Sequence, residues 1–238
     1  MDVIFECAEV VKKYGSLPAL NSISLKAYAN RTMALLGPSG SGKSVFMRTV
    51  AGLSRCDSGT ISLALGTNIE KKSYKNKYQK ELTSYLPEQD YLPDELTVAD
   101  IIKLFIDYFS NFFESYAMKF AADLNINLNK KYGKLSKTQR AAVRLMLTLS
   151  RHSCIYILDE PFAELDSLQL DYFIREMSEN MKGKTIILST NMIAQSEPLF
   201  DDVVFFQNGT VRVCDSANAI RENSGMCIAD FYKETFKC

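Results

Sequence analysis

Hydrophobic and polar positions alternate near both ends of the chain, whereas the middle third repeats apolar residues at helical spacing. The alternation predicts strands over 3–11 and 21–29, joined by a turn at 15–18. Short apolar runs predict further strands at 32–36, 59–65, 154–158, 185–189 and 203–206. Because helical segments separate most of these runs, the pattern predicts a mostly parallel α/β sheet.

The apolar residues of the middle segment recur every three or four positions, as on one face of a helix. They are Ile101, Ile102, Phe105, Phe109, Phe112, Phe113 and Tyr116. Most are expected to pack in a core, and the remainder to form a docking face for a partner protein. Other helices are predicted over 43–53, 137–150 and 168–181, the second capped by Ser136. The lysine- and tyrosine-rich segment 70–81 is interpreted as a solvated loop or exposed helix, with contact to an anionic surface as the alternative.

Composition limits the classes of function. The chain has 238 residues, 47% of them hydrophobic, which suffices for one large or two small folded domains and excludes a disordered chain. Positive and negative charges balance, and this argues against a nucleic-acid binder that works through bulk electrostatics. The only histidine, His152, excludes a metal site built from several histidines, and we interpret it as a loop residue without a catalytic role.

Cysteine use and charge placement predict a cytosolic chain. The six cysteines are scattered without a CxxC pair: Cys7, Cys56, Cys154, Cys214, Cys227 and Cys238. A chain of this size and core content does not need disulfides, so a reducing compartment is expected. The first ten residues are acidic and lack a basic segment, so no secretory signal is predicted. No apolar run reaches the roughly 18 residues that span a membrane, although the chain can still dock on a membrane protein.

A glycine-rich segment follows the strand predicted at 32–36 and precedes a predicted helix. Its residues are Gly37, Pro38, Ser39, Gly40, Ser41, Gly42, Lys43 and Ser44, which match the pattern GxxxxGK(S/T). Glycines let consecutive backbone N–H groups point at phosphate oxygens, and the start of the helix attracts the same anion. Lys43 is suited to the β- and γ-phosphates of a nucleotide, and the Ser44 hydroxyl is suited to Mg²⁺. The segment therefore predicts a phosphate-binding loop.

Two acidic residues, Asp159 and Glu160, follow the apolar run at 154–158. In proteins with such a phosphate loop, an aspartate at a strand end holds Mg²⁺. A glutamate directly after it can orient and deprotonate an attacking water. The pair alone is weak evidence, but together with the glycine-rich segment it predicts a hydrolytic nucleotide site.

With these motifs in this order, the chain resembles the nucleotide-binding subunits of ABC transporters over nearly its whole length. The resemblance implies that 37–44 is the Walker A motif and that 155–160 is Walker B with the catalytic Glu160. It implies a P-loop NTPase fold, with a RecA-like parallel sheet, an N-terminal antiparallel β-subdomain and an inserted helical subdomain. The implied domains are a catalytic core at 1–87 and 151–238 and a helical subdomain at 88–150.

The resemblance also assigns residues outside the phosphate loop. Tyr14 is similar to the aromatic residue that stacks on adenine, a contact that contributes roughly 1–3 kcal/mol in comparable sites. The segment 85–90 is similar to the Q-loop, in which either Glu88 or Gln89 takes the place of the family's glutamine. Asp166 is implied to lie in the D-loop, which crosses the interface between two subunits.

Two positions depart from the pattern of the family. Ser136 and Gln139 match the signature motif, LSGGQ in the family and LSKTQ here, which caps the γ-phosphate of ATP on the opposite subunit. Its two glycines are replaced by Lys137 and Thr138. The switch histidine of the family is replaced by Asn191, which cannot carry a proton. Loss of a comparable donor costs on the order of 10² to 10³ in rate, so slow hydrolysis is expected.

The resemblance implies the ATP-binding subunit of a membrane ABC transporter, with ATP and Mg²⁺ as ligands and export as the expected direction. The implied partners are a membrane-spanning permease and a second ATP-binding subunit, in a homodimer or, weakly favoured, a heterodimer. Nucleic acid is not expected. The chain would then be peripheral on the inner face of the membrane. The alternatives are a non-transporting ABC-type ATPase that clamps a soluble scaffold or nucleic acid, and a regulatory subunit that binds ATP without hydrolysing it.

Overall fold

The computed structural model describes residues 2–63 and 82–237. Its first sheet is antiparallel and has three strands in the order β2-β1-β4. These are β1 (Val3–Tyr14), β2 (Leu17–Tyr28) and β4 (Ser58–Leu63). The two strands of the predicted hairpin are longer than expected, and the segment predicted at 70–81 lies outside the described residues. The antiparallel subdomain that the resemblance implies is confirmed.

The second sheet has six strands in the order β5-β6-β7-β3-β8-β9. They are β3 (Thr32–Leu36), β5 (Thr83–Leu86), β6 (Ile155–Asp159), β7 (Thr185–Ser189), β8 (Asp202–Gln207) and β9 (Thr210–Ser216). The first five in this order run parallel, and β9 pairs with β8 antiparallel. Every residue of β3, β6 and β7 is buried, as their continuous apolar runs predict.

Helices connect the strands of this sheet. They are α1 (Lys43–Val50), α2 (Val98–Tyr108), α3 (Glu114–Asp123), α4 (Lys137–Leu149), α5 (Ser167–Asn180), α6 (Ile193–Ser196), α7 (Ala217–Ser224) and α8 (Ile228–Phe236). Helix α1 packs on the face shared with the antiparallel sheet, and the others pack on the opposite face. Two short 3₁₀ turns lie at Tyr132–Lys134 and Glu197–Leu199. In the described ranges, no helix has the length and apolar character that a membrane span requires.

The helical pattern of the middle segment is split between two helices. Phe109 leaves helical geometry at φ −124°, and Phe112 forms an isolated bridge with Arg151. The Phe113 N–H then donates to the Ser150 carbonyl at 2.8 Å. Of the residues at the break, Phe112 packs against the core, whereas Phe113 is exposed.

Alternate residues of the central strands face opposite layers. Met33 and Leu35 belong to a core shared with α1 and the antiparallel sheet. Ala34 and Leu36 belong to the core shared with α2–α5, α7 and α8. The period of two in strand β3 therefore joins three layers: antiparallel sheet with α1, parallel sheet, and helices. The α/β fold class is confirmed.

Candidate functional site

The candidate residues follow strands that are neighbours in the parallel sheet. In the order β5-β6-β7-β3, these strands end at Leu86, Asp159, Ser189 and Leu36. Ligands of open parallel sheets bind beyond the carboxyl ends of the strands. The sheet therefore brings the phosphate loop, the acidic pair, Asn191 and the segment with Glu88 to one edge.

Backbone atoms of both sheets lie close to the phosphate loop. A Cβ on Gly37 would lie 2.3 Å from the carbonyl oxygen of Phe206 in β8. A Cβ on Gly42 would lie 2.7 Å from the carbonyl oxygen of Ala19 in β2, and the φ of Gly42 is +106°. Glycine is therefore required at both positions for a steric reason.

The remaining loop residues divide into an exposed and a buried part. Pro38, Ser39 and Gly40 are exposed. Ser41 is buried, and its carbonyl accepts the N–H of Gly209 at 2.9 Å. The Ser41 hydroxyl has no hydrogen-bond partner among the described residues. The outer part of the loop is thus open to a ligand, while its inner part is anchored to the β8–β9 turn.

Lys43 folds back over the loop that precedes it. Its Nζ donates to the carbonyl of Gly37 at 2.6 Å and to that of Pro38 at 3.2 Å, and the residue is 7% exposed. Burial lowers the pKa of Lys43, while the carboxylates of Glu160 and Asp159 oppose this shift. Helix α1 has no side-chain cap at its N-terminus. A cation and the start of a helix therefore face the same anion site.

Asp159 is 1% exposed and lies at the end of β6. Its Oδ1 accepts hydrogen bonds from the Ser44 hydroxyl at 3.1 Å and from the Ser189 hydroxyl at 2.7 Å. Its Oδ2 is buried and has no hydrogen-bond partner in the described part of the chain. A hydroxyl and a carboxylate are oxygen ligands that suit Mg²⁺, which usually completes its shell with waters and substrate phosphates. Ser44 and Asp159 therefore fit this ion.

Over 2–63 and 82–237, no three His, Cys, Asp or Glu residues are grouped so that they could hold a metal ion. A site with few protein ligands is what a phosphate-bound Mg²⁺ requires.

Glu160 is held at both its backbone and its side chain. Its φ is +49°, in the left-handed region that glutamate rarely occupies. Its N–H lies 3.0 Å from the Ser189 hydroxyl, and its Oε2 accepts the Asn191 N–H at 3.0 Å. Burial raises the pKa of Glu160, and the Asn191 N–H and Lys43 oppose this shift. The group is therefore a positioned carboxylate with increased proton affinity.

Ser189 is a site residue that the sequence reasoning missed. It is fully buried, and its hydroxyl links Asp159 to the backbone of Glu160. The sequence signal that could have identified Ser189 is a polar residue at the end of an apolar strand. Its meaning depends on the pairing of Asp159 with Ser189 between β6 and β7, which becomes visible only in the sheet.

The two predicted trans-acting segments lie at helix N-termini. Ser136 caps α4: its hydroxyl accepts the Gln139 N–H at 3.1 Å, and Gln139 Oε1 accepts the Ser136 N–H at 3.3 Å. Asp166 caps α5 by accepting the Gln169 N–H at 2.9 Å. Ser136 and Asp166 are exposed. Another chain could therefore reach both caps.

Tyr14 lies at the end of β1 and is 54% exposed, with Lys12 Nζ 5.6 Å from its ring centre. Its hairpin touches the phosphate loop through Ala19. Glu88 and Gln89 are both exposed after β5, and both line a groove that reaches Asp159.

A groove of about 780 Å³ runs from Asp159 toward the helices. Its lining includes the polar residues Glu88 and Gln89. Its apolar lining residues include Leu92, Ile101, Leu104, Phe105 and Phe109. The groove thus joins the carboxyl edge of the sheet to an open apolar surface.

Comparison with known proteins shows which family of proteins the chain is similar to. Residues 20–163 match the family model described as ABC transporter. The ABC-type transporter ATP-binding protein EcsA of Bacillus subtilis is 28% identical over 94% of this chain and 93% of its own length. The sulfate/thiosulfate import ATP-binding protein of Mesostigma viride is 31% identical over 85% of this chain and 59% of its own length. The Nod factor export ATP-binding protein I of Burkholderia orbicola is 26% identical over 92% of this chain and 72% of its own length.

Solved structures share the fold. An ATP-binding subunit of an ABC transporter superposes with a TM-score of 0.84, at 24% identity, over 97% of this chain and 98% of that one. A dimeric ATP-binding cassette in a post-hydrolysis state, bound to ADP and Pi, superposes with a TM-score of 0.76 at 20% identity over 90% and 98% of the two chains. The named relatives include import and export proteins.

Proposed function

The chain belongs to the ABC transporter family, as an ATP-binding subunit, and from this premise we propose that it couples MgATP binding and slow hydrolysis to export through a permease. The proposal depends on one observation above all. Lys43, Ser44 and Asp159 meet at one edge of the sheet, and the Asp159 Oδ2 has no hydrogen-bond partner among the residues that the structure describes.

In this function, the phosphate loop and Lys43 bind the ATP phosphates, and Tyr14 stacks on the adenine. Ser44 and Asp159 would hold Mg²⁺, which when bound would neutralise phosphate charge. Glu160 accepts the proton of the attacking water. The raised pKa of Glu160, the contact of its N–H with the Ser189 hydroxyl and the hydrogen bond that its Oε2 accepts from the Asn191 N–H support this role.

We propose that hydrolysis is slow because Asn191 lacks an imidazole. The contact between position 191 and Glu160 is made by the backbone N–H, which any residue except proline provides. The replacement therefore leaves the general base in place and removes only a side-chain contact to the γ-phosphate. One such donor contributes on the order of 10² to 10³ in rate.

Two copies of an ATP-binding subunit would complete each site. Ser136, Gln139 and Asp166 act in trans in this arrangement, and Lys137 with Thr138 crowd the signature segment. In a homodimer, both sites contain both departures, whereas a heterodimer with an intact partner separates them. The exposure of Ser136 and Asp166 supports contact with a second subunit.

The permease would dock on the groove beside α2. Leu104 and Tyr108 line this groove and are exposed, and further apolar side chains of the region are exposed as well: Ile106, Phe113, Tyr116 and Met118. An exposed apolar groove is typical of a protein interface. A helical subdomain at 88–150, which we also propose, would carry this surface.

The test is ATP hydrolysis by the purified chain and by Glu160→Gln. The substitution should abolish turnover and leave ATP binding intact, because it removes the base and keeps the shape of the side chain. Glu179→Gln, an exposed residue of α5, is the matched control and should hydrolyse ATP at the native rate. Unchanged turnover in Glu160→Gln would exclude Glu160 as the base, and failure of the native chain to bind ATP would exclude the function.

A further inference from the structure

Arg140 of helix α4 forms ion pairs with the segment that follows β5. The Arg140 guanidinium lies 2.7 Å from Asp90 Oδ2 and 3.3 Å from Asp94 Oδ1. The Tyr132 hydroxyl donates to the same Asp90 carboxylate at 2.8 Å. Asp90 directly follows Glu88 and Gln89, so this network anchors the candidate Q-loop to the helix that begins at the signature segment.

One turn further along α4, Arg144 contacts two candidate site segments at once. Its Nη1 donates to the carbonyl of Glu88 at 2.9 Å, and its Nη2 donates to Glu164 Oε2 at 3.1 Å. The Arg144 side chain is 8% exposed and the Glu164 side chain 47%. Glu164 lies two residues before Asp166, in the candidate D-loop. A single buried guanidinium therefore joins the segment after β5 to the segment after β6.

The two contacts require the shape of arginine. A guanidinium presents separate N–H donors in a rigid planar fork, so one side chain can serve a carbonyl and a carboxylate in different segments. An ammonium group is a single point charge on a flexible stem and lacks this fixed geometry. Arg144→Lys should therefore keep the positive charge but lose the link.

We propose that Arg144 is a positioning residue that links the segment 88–90 to the segment 163–166, so that the two move together with α4. The inference rests on the proposed function, because it gives these segments their roles in the ATP site. It adds a specific connection: a displacement at the groove reaches the D-loop through Arg144 within the same subunit.

The connection can be measured by fluorescence, without nucleotide. The chain contains no tryptophan, so a tryptophan introduced by substitution is the only one that fluoresces. The substitution Tyr91→Trp places a single fluorescent reporter next to Asp90, at a side chain that is 46% exposed. In this background, Glu164→Gln should increase quenching of the reporter by acrylamide, although Glu164 belongs to the other segment. Arg144→Met should increase it too, and the double variant should show no further increase, since both changes break one link.

The matched control is Lys119→Met, which breaks a different ion pair, between α3 and Glu176 of α5, with an N–O distance of 2.9 Å. It should leave quenching unchanged. The inference is overturned if Glu164→Gln does not alter the reporter, or if its effect persists fully in Arg144→Met or Arg144→Lys. Glu164 is half-exposed, so Glu164→Gln is decisive even if Arg144→Met fails to fold.

ATP hydrolysis provides a second, separate readout. Arg144→Met and Glu164→Gln should lower kcat with little change in KM for ATP, and the two losses should not add. Equal kcat in native and variant chains would contradict the inference. Absence of hydrolysis in the native chain would contradict the proposed function instead, and the fluorescence cycle would still decide on Arg144.

Discussion

The hydroxyl of Ser189 provides the sharpest test of the site geometry. Ser189→Ala removes a donor 2.7 Å from Asp159 Oδ1 and an acceptor 3.0 Å from the Glu160 N–H. Both contacts are inside the protein, since Ser189 is fully buried. The substitution leaves the backbone and the apolar packing of β7 in place, so its effects report on these two hydrogen bonds.

The loss of stability follows from what remains after the substitution. Hydrogen bonds to charged groups contribute about 1.5–3 kcal/mol, and an unsatisfied buried group costs about 1–3 kcal/mol. Asp159 keeps its contact with Ser44 at 3.1 Å, and the Glu160 N–H keeps the Ser189 carbonyl at 3.2 Å. We therefore expect the lower end, a decrease of about 1.5 kcal/mol in the free energy of unfolding.

The expected loss of activity is about tenfold in kcat, which corresponds to about 1.4 kcal/mol of transition-state stabilisation. Urea unfolding measures the first effect and steady-state ATP hydrolysis the second. The control is Ser178→Ala, whose hydroxyl donates only to the Ile174 carbonyl of its own helix, and which should change stability by at most about 0.5 kcal/mol. Ser189→Ala with native stability and native kcat would refute the reasoning.

Three further predictions concern rate, pH and docking. Asn191→His should raise ATP hydrolysis, and native turnover at the pace usual for the family would contradict the idea of a weakened site. Because burial raises the pKa of Glu160, protonation should remove the base and lower kcat/KM at a pH above the value of about 4.3 for free glutamate; an acidic limb at or below that value would contradict this. Leu104→Asp should reduce recovery of a polytopic permease from solubilised membranes, whereas Met226→Asp, outside the groove, should not; recovery of only soluble partners by the native chain would favour a scaffold-clamping ATPase.

Much of the sheet could be predicted from sequence. Strands β3 and β7 begin and end at the predicted residues 32–36 and 185–189, because strands buried on both faces are continuous apolar runs. Helix α4 begins after Ser136 as predicted, since a serine cap is a local signal. His152 lies in a loop, as interpreted.

Features set by long-range contacts could not be predicted. The break between α2 and α3 depends on a backbone hydrogen bond from Phe113 to Ser150. Strand β9 escaped notice because its residues are only partly buried or exposed and show no clean alternation. The roles of Ser189 and Arg144 depend on which strands and helices are neighbours. The phosphate loop can be predicted from local sequence. The residues that surround it, such as Ser189, depend on the order of the strands.

The glycines of the phosphate loop also lie at the contact between the two sheets. Gly37 lies against the β8 backbone and Gly42 against Ala19 of the antiparallel sheet, while Ser41 is tied to the β8–β9 turn. The loop whose outer residues are open to a nucleotide is therefore also the loop whose inner residues contact both sheets. Enlarging the phosphate loop to accept a larger ligand would therefore also weaken the packing between the two sheets. A bound nucleotide would in turn stabilise the subunit as a whole.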